Sequence, residues 1–152
     1  MGLLDGHLAF ITGGGSGIGQ GIAEGYAREG ARVIAADMNL AGAEETARRI
    51  KAAGGEASAV LLNVTDLQAC QSTARKVEAD FGPISILVNN AGIVRRATID
   101  SATAIDDWND TVAVNITGVF NCVHSFQDQL KARKGRIINI GSIQSFVHTP
   151  NS

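Results

Sequence analysis

The chain has 152 residues, of which 45% are hydrophobic and 18% are charged. This balance is typical of a globular domain with a buried core and excludes an intrinsically disordered chain. The formal net charge of −2 gives no electrostatic basis for binding nucleic acid or an anionic membrane. No apolar run reaches the roughly 18 residues that span a bilayer, and the N-terminus lacks the pattern of a signal peptide. We therefore expect a cytoplasmic protein in which Cys70 and Cys122 are buried thiols, with no metal site.

Short apolar runs alternate with longer amphipathic runs along the chain. The short runs predict strands at residues 8–11, 32–36, 57–62, 84–89 and 136–140. The longer runs predict helices at residues 18–28, 40–53 and 106–133, and a further helix that Asp66 caps and that ends at Phe81. Continuous apolar strands separated by helices indicate a mostly parallel sheet covered on both faces. We therefore expect a doubly wound, Rossmann-like α/β fold with three layers, in which residues 1–152 form a single domain.

A glycine-rich loop follows the first predicted strand. It reads Thr12-Gly13-Gly14-Gly15-Ser16-Gly17-Ile18-Gly19, and the first predicted helix begins at its end. Glycines let the backbone approach a pyrophosphate closely, and a helix N-terminus offers free N–H groups and positive dipole. The spacing differs from the dinucleotide fingerprint G-x-G-x-x-G. By itself, the loop is therefore also compatible with an ordinary tight turn.

An aspartate at the end of the second predicted strand strengthens the case for a nucleotide. Asp37 stands eighteen positions after Gly19, where dinucleotide-binding folds place the carboxylate that binds the adenosine ribose. The alternative role for Asp37 is to cap the helix that follows. Loop and aspartate together favour dinucleotide binding.

Further motifs stand at the ends of later strands and within the long helix. They are Asn63-Val64 after the third strand, Asn89-Asn90-Ala91-Gly92 after the fourth, Asn115 in the long helix and Ser142 after the fifth strand. With the pattern Thr-Gly-x-x-x-Gly-Ile-Gly at residues 12–19, they resemble the short-chain dehydrogenase/reductase family. The resemblance covers the whole chain in order. It implies an oxidoreductase that uses a nicotinamide dinucleotide.

The resemblance implies a role for each of these residues. The cofactor would be bound by Gly13, Gly15, Ser16, Gly17, Ile18, Gly19, Asp37, Asn63, Val64, Asn90, Ala91 and Gly92. Ser142 would hydrogen-bond the reacting oxygen, and Asn115 would help to organise a proton relay. Without the resemblance, Ser142 could equally be an ordinary hydroxyl in a loop. Asn115 could make a core hydrogen bond or mark a functional distortion of the helix backbone. The negative Asp37 carboxylate would lie beside the ribose 2′ position and would repel the 2′-phosphate of NADP. We therefore expect NAD rather than NADP.

The proton donor that the family uses is not found in this sequence. The resemblance implies a tyrosine followed four positions later by a lysine that lowers the tyrosine pKa. The single tyrosine is Tyr26, and no lysine stands four positions after it. Ten residues follow Ser142, and the family spacing from serine to tyrosine is a little longer. We therefore expect that the chain stops short of a catalytic Tyr-x-x-x-Lys segment.

The substrate is indicated only by polar residues near the expected cleft. Arg95-Arg96 resembles family members that act on sugar acids, where an arginine pairs with a carboxylate. Two solvated surface arginines are the alternative. Gln144 and His148 are further candidates to contact a polyhydroxylated substrate, although a lone loop histidine commonly has no such role.

Three functions therefore remain open from the sequence. The leading interpretation is NAD-dependent interconversion of a secondary alcohol and a ketone, on a polyol or a sugar acid. A 3-oxoacyl-carrier-type reductase of the same family is the alternative enzyme, and a nucleotide-binding protein without catalysis is the alternative of another class. By resemblance, the helix at residues 106–133 would pack across the interface of a homo-oligomer, either a dimer or a tetramer.

Overall fold

The computed structural model describes residues 2–96 and 98–147, which form one parallel sheet covered by helices. The strands are β1 (Leu8–Thr12), β2 (Arg32–Asp37), β3 (Ala57–Leu61), β4 (Ile86–Asn89) and β5 (Arg136–Asn139). Their order across the sheet is β3-β2-β1-β4-β5, and all four neighbouring pairs are parallel. The connection from β3 to β4 crosses over β1 and β2, so the direction of winding reverses between β1 and β4. Ligands bind doubly wound folds at the carboxyl ends of the strands beside such a reversal.

Helices cover both faces of the sheet. They are α1 (Gly17–Arg28), α2 (Leu40–Ala52), α3 (Leu67–Phe81), α4 (Ala104–Val112) and α5 (Gly118–Ala132). The first two pack against one face through small and branched residues such as Ala23, Ala47 and Ile50. The helices α3 and α5 pack against the other face, where Phe126 meets Phe10 with ring centroids 4.5 Å apart. The predicted three-layer, Rossmann-like α/β fold is confirmed.

The central strand β1 shows why this arrangement is stable. All five of its residues are buried, because successive side chains of a strand point to opposite faces and helices cover both of them here. Leu8 and Phe10 enter the core beneath α3 and α5, whereas Ala9 and Ile11 enter the core beneath α1 and α2. Coverage of both faces by helices therefore explains the continuous apolar run that predicts a buried parallel strand.

The long predicted helix is present but is not α-helical throughout. A π-helical turn at Ala113–Thr117 joins α4 to α5. The apolar residues of the whole segment do not form one buried stripe: Trp108 is 68% exposed and Ile116 is 65% exposed, whereas Phe126 and Leu130 are buried. A π turn inserts extra residues into the helical repeat and rotates the following face. Residues before and after the turn consequently do not share one buried side.

Two strand boundaries differ from the predicted ones for a common reason. Ile84 is fully buried but precedes β4, and its N–H donates to the side chain of Gln129 at 3.0 Å instead of joining a strand. Ile140 follows β5 and still donates its N–H to Asn89. The apolar run thus extends beyond the strand in both cases, although Ile84 is buried and Ile140 is 40% exposed. Apolar content alone does not locate the end of a ladder.

The two cysteines are free thiols in the core between α3 and α5. Cys70 and Cys122 are both completely buried, as expected. The contact with Cys70, together with burial, raises the pKa of the Cys122 thiol. Within the part of the chain that the structure describes, no three His, Cys, Asp or Glu side chains group as metal ligands. None of the described helices combines the length and the apolar character that crossing a membrane requires.

Candidate cofactor-binding site

The glycine-rich loop joins β1 to α1 at the carboxyl edge of the sheet. Gly13 has φ +64°, a conformation that side chains rarely adopt, and a Cβ there would lie 2.9 Å from Ala91 Cα. A Cβ at Gly19 would collide with the Gly13 carbonyl oxygen. The glycines at these positions therefore let the loop fold tightly against the end of β4. These glycines are therefore required for close packing within the chain, and not only for binding a ligand.

The start of α1 can accept an anion. Ser16 is the N-cap residue, but its side chain makes no capping hydrogen bond, and the first-turn N–H groups have no partner within the helix. Gly17 has φ +54°, and nothing lies within 4 Å of the position that a Cβ would take. The helix N-terminus consequently faces open space with positive dipole and free donors. This arrangement suits a pyrophosphate.

Asp37 connects the end of β2 to the glycine loop. Its Oδ2 accepts the N–H of Gly15 at 2.9 Å, and its Oδ1 accepts the N–H of Asn39 at 2.9 Å. The helix α2 is capped by Asn39, whose side chain accepts from Gly42, so Asp37 does not serve as that cap. A carboxylate has about four acceptor positions and two are used here. Asp37 can therefore still accept hydrogen bonds from ribose hydroxyls.

The hydroxyl of Thr12 joins the loops that follow β1 and β4. Its oxygen accepts the N–H groups of Asn90 and Ala91, each at 3.0 Å, and it donates to the Val88 carbonyl at 3.3 Å. In return, Asn90 Nδ2 donates to the carbonyls of Thr12 and Gly13 at 3.0 and 3.2 Å. These five bonds fix the two loops relative to each other. The side-chain nitrogen of Asn90 thus bonds the protein backbone, and its side-chain oxygen can still accept a hydrogen bond.

The loop after β3 is also well defined. Asn63 Oδ1 accepts the N–H and the hydroxyl of Thr65 at 3.0 and 2.9 Å, so this side chain stabilises its own turn. Asp66 caps α3 by accepting the Ala69 N–H, as predicted. Val64 is 7% exposed and contributes to the wall of the cleft. If the loop contacts an adenine, Val64 and the backbone are the groups available for it.

Asn115 lies in the middle of the π turn and binds the loop after β4. Its Oδ1 accepts the N–H of Ile93 and its Nδ2 donates to the carbonyl of Ile93, both at 2.9 Å. The sequence left a core hydrogen bond and a backbone distortion as alternatives for Asn115. The structure shows both, because the amide pairs with a backbone inside a distorted helix.

These elements enclose a cleft of about 260 Å³ at the carboxyl edge of the sheet. Its predicted lining residues are Gly13, Ser16, Asp37, Val64, Asn90, Ala91 and Gly92. Four further residues that were not predicted also line the cleft, namely Met38, Leu62, Ile93 and Val114. Each follows or precedes a motif residue directly or lies at a strand end, which is the signal that could have identified it. An anion-binding helix start, an aspartate and an apolar side wall together fit an extended dinucleotide.

The predicted catalytic serine lies outside this lining. Ser142 is exposed, follows β5 and begins a short 3₁₀ helix, Ile143–Ser145. Its Oγ accepts the N–H of Gln144 at 3.2 Å. Because that lone pair is used, the hydroxyl proton of Ser142 remains to be donated elsewhere.

Three of the predicted substrate residues that the structure describes, Arg95, Arg96 and Gln144, do not line the cleft. Arg95 pairs with two carboxylates of α4, with Nη2 3.2 Å from Asp110 and Nε 3.7 Å from Asp107. Arg96 is exposed, and His148 lies outside the described residues. Arg95 therefore connects the loop after β4 to α4, and a substrate carboxylate would compete with these aspartates.

The Thr12 hydroxyl provides a test of this geometry. Replacing Thr12 by Val keeps the shape but leaves the N–H groups of Asn90 and Ala91 without an acceptor, which should lower the free energy of unfolding by about 1–3 kcal/mol. Urea denaturation measures this change. The matched control is Thr111→Val, because that hydroxyl bonds only to the Asp107 carbonyl within its own helix. Equal effects of the two substitutions would contradict the proposed junction.

Several known proteins are similar to this chain in sequence and in structure. D-threitol dehydrogenase of Mycolicibacterium smegmatis is 40% identical over 140 residues, which cover 91% of this chain and 54% of the relative. The 3-oxoacyl-(acyl-carrier-protein) reductase FabG of Escherichia coli is 38% identical over 140 residues, which cover 91% of this chain and 56% of the relative.

A gluconate 5-dehydrogenase from Burkholderia cenocepacia, solved in complex with NADP and tartrate, has the same fold. The two chains are 42% identical and superpose with a TM-score of 0.90 over 97% of this chain and 58% of that chain. The present chain thus spans little more than half the length of the relatives that it matches. The sequence model of the short chain dehydrogenase family matches residues 7–152. The chain belongs to the short-chain dehydrogenase/reductase family.

Proposed function

We propose that the protein is an NAD-dependent oxidoreductase that interconverts a secondary alcohol and a ketone. The observation that carries the proposal is the cleft between the glycine loop, Asp37 and the Asn90–Gly92 segment, beside the reversal of winding between β1 and β4. The sheet geometry places these groups together, and each suits a different part of a dinucleotide. Relatives named dehydrogenases and reductases support the same reaction class.

Each wall of the cleft would bind one part of NAD. The first-turn N–H groups of α1, at Gly17–Gly19, would bind the pyrophosphate, and the Asp37 carboxylate would accept the ribose hydroxyls. Val64 would contact the adenine. The Ala91 and Gly92 backbone would line the nicotinamide side. When bound, the cofactor supplies the hydride acceptor or donor of the reaction.

Two further residues would act on the substrate side. Ser142 would hydrogen-bond the substrate oxygen through its hydroxyl, whose proton stays available because the bond from the Gln144 N–H uses a lone pair of Oγ. Asn115 would keep Ile93, and with it the loop after β4, in a fixed place beside the reacting groups. Tyr26 packs against the core beneath α1 and does not line the cleft, so it would not exchange a proton with the substrate oxygen.

A polyol or sugar acid is the proposed substrate. D-threitol dehydrogenase among the relatives and tartrate bound to the gluconate 5-dehydrogenase support a polyhydroxylated compound. The FabG relative supports a 3-oxoacyl thioester as the second candidate. Turnover of gluconate or threitol without turnover of acetoacetyl-CoA would favour the first candidate, and the reverse would favour the second.

The proposed assembly is a homo-oligomer built on α4 and the start of α5. Large apolar side chains of this region lie in solvent, with Trp108 68% exposed and Phe120 63% exposed. Exposed apolar patches of this kind commonly mark protein interfaces. The proposal therefore places a second copy of the chain against this surface.

NAD should bind more tightly than NADP. The Asp37 carboxylate would meet the 2′-phosphate of NADP with like charge, a contact that typically costs several kcal/mol. We expect at least about a tenfold preference for NAD in the full-length protein, measured by fluorescence titration with NADH and NADPH. Asp37→Ala should reduce the ratio of the affinities for NADH and NADPH. Asp80→Ala, which removes an exposed carboxylate paired with Lys76, should leave it unchanged. Equal affinity of the unmodified protein for both cofactors would disprove this part of the proposal.

Loss of the Ser142 hydroxyl should slow turnover without weakening cofactor binding. Removing a preorganised donor to the reacting oxygen typically lowers kcat by roughly 10²–10³. Steady-state kinetics of Ser142→Ala should show this decrease, whereas Kd for NADH should stay within about twofold. The control is Ser72→Ala, whose hydroxyl bonds only to the Ala69 carbonyl on α3. A full-length protein that binds NADH but oxidises no alcohol would support a nucleotide-binding role instead.

A further inference from the structure

A buried amide on α5 contacts the adenine side of the cleft. Asn121 is 4% exposed, and its Nδ2 donates to the carbonyl oxygen of Val64 at 2.9 Å. Val64 lies in the loop after β3 and lines the cleft. Burying an amide without a hydrogen bond is costly, so this contact fixes the loop to the helix. Asn121 itself is not a lining residue of the cleft.

Two other contacts restrict Val64 from the same side of the sheet. The Cys70 thiol donates to the same Val64 carbonyl at 3.6 Å. A Cβ on Gly118 would lie 2.6 Å from Val64 Cγ2, so α5 approaches the valine side chain as closely as a glycine allows. The carbonyl and the side chain of Val64 are thus both positioned by neighbouring helices. No cofactor motif includes Gly118 or Asn121.

The same helical segment also reaches the other side of the cleft. Directly before α5, in the π turn, Asn115 binds the backbone of Ile93, and Val114 lines the cleft. The loops after β3 and after β4 therefore both rest on a single stretch of helix. A shift of this stretch would move both loops, and loss of the Asn121 contact would release only the first.

We propose that Asn121 is a positioning residue that, together with Gly118, sets the place of Val64 and so the affinity of the adenosine half of the cofactor. The inference rests on the proposed cofactor-binding function. Its consequence is specific: loss of the Asn121 donor should weaken binding of the adenosine half and leave the nicotinamide half and the chemical step unaffected.

The test uses Asn121→Leu in the full-length protein and two fragments of the cofactor as probes. Calorimetric titration should show ADP-ribose binding weakened by about threefold to tenfold, as expected for one lost buried hydrogen bond. Binding of nicotinamide mononucleotide should stay within about twofold. In kinetics, KM for NAD should rise while kcat at saturating cofactor is retained.

The matched control is Gln129→Leu. Gln129 is a second buried amide on α5, but it bonds the Ala74 carbonyl and the Ile84 N–H at 2.9 and 3.0 Å, away from the cleft. This control should lower stability and retain the affinity for ADP-ribose. Equal losses of affinity in both variants would mean that Asn121 is merely structural, which would overturn the inference.

A second variant covers the case in which Asn121→Leu does not fold. Gly118→Ala keeps the hydrogen bond but presses on the Val64 side chain, and it should weaken ADP-ribose binding selectively as well. Unchanged ADP-ribose affinity in a folded variant, with the unmodified protein binding normally, would refute the positioning role alone. An unmodified protein that binds neither ADP-ribose nor NADH would instead refute the proposed function.

Discussion

The site depends on the hydroxyl of Thr12, which joins the loops after β1 and β4. This single oxygen accepts two backbone N–H groups, and Asn90 returns two bonds to the backbone of the glycine loop. The loops belong to adjacent strands on either side of the reversal of winding, where no helix lies between them. This junction fixes the start of α1 and the Asn90–Gly92 segment relative to each other. Hydrogen bonds between side chains and backbone therefore hold the two loops of the cleft together without a ligand.

Helix α5 and the π turn before it hold the loops after β3 and β4 in place. Asn115 binds the loop after β4, and Asn121 binds the loop after β3, while Phe126 anchors the helix in the core against Phe10. Polar contacts at one end of the helix are thus held in place by apolar packing at the other. Buried amides cost stability unless they are paired, so their pairing here specifies one arrangement of the loops.

The sequence predicts the fold well because its signals are local. Buried strands read as continuous apolar runs, glycines mark the tight loop, and Asp66 marks the start of α3. A distortion at Asn115 was predicted only as one of two alternatives, since the residues of the π turn carry an ordinary helical pattern and its partner Ile93 lies in a distant loop. The ion pairs of Arg95 could not be predicted from the sequence either, because its partners Asp107 and Asp110 lie on the next helix, beyond a loop.

The site itself was predictable in part. Gly13, Asp37 and Asn90 lie at strand ends, where chain order and strand direction bring them to one edge. Asn121 was not found, because its role depends on which face of a helix meets a distant loop. Such long-range contacts leave no periodic trace in the sequence. Pattern analysis therefore identifies the residues at the site more readily than those that position it.

A crystal structure of the full-length protein grown with NAD would test most directly whether this cleft binds the cofactor. We expect the pyrophosphate within hydrogen-bonding distance of the N–H groups at the start of α1, about 2.7–3.2 Å. We also expect the adenosine ribose against the Asp37 carboxylate and the adenine beside Val64. A dinucleotide bound elsewhere on the protein, with this cleft filled only by solvent, would contradict the account.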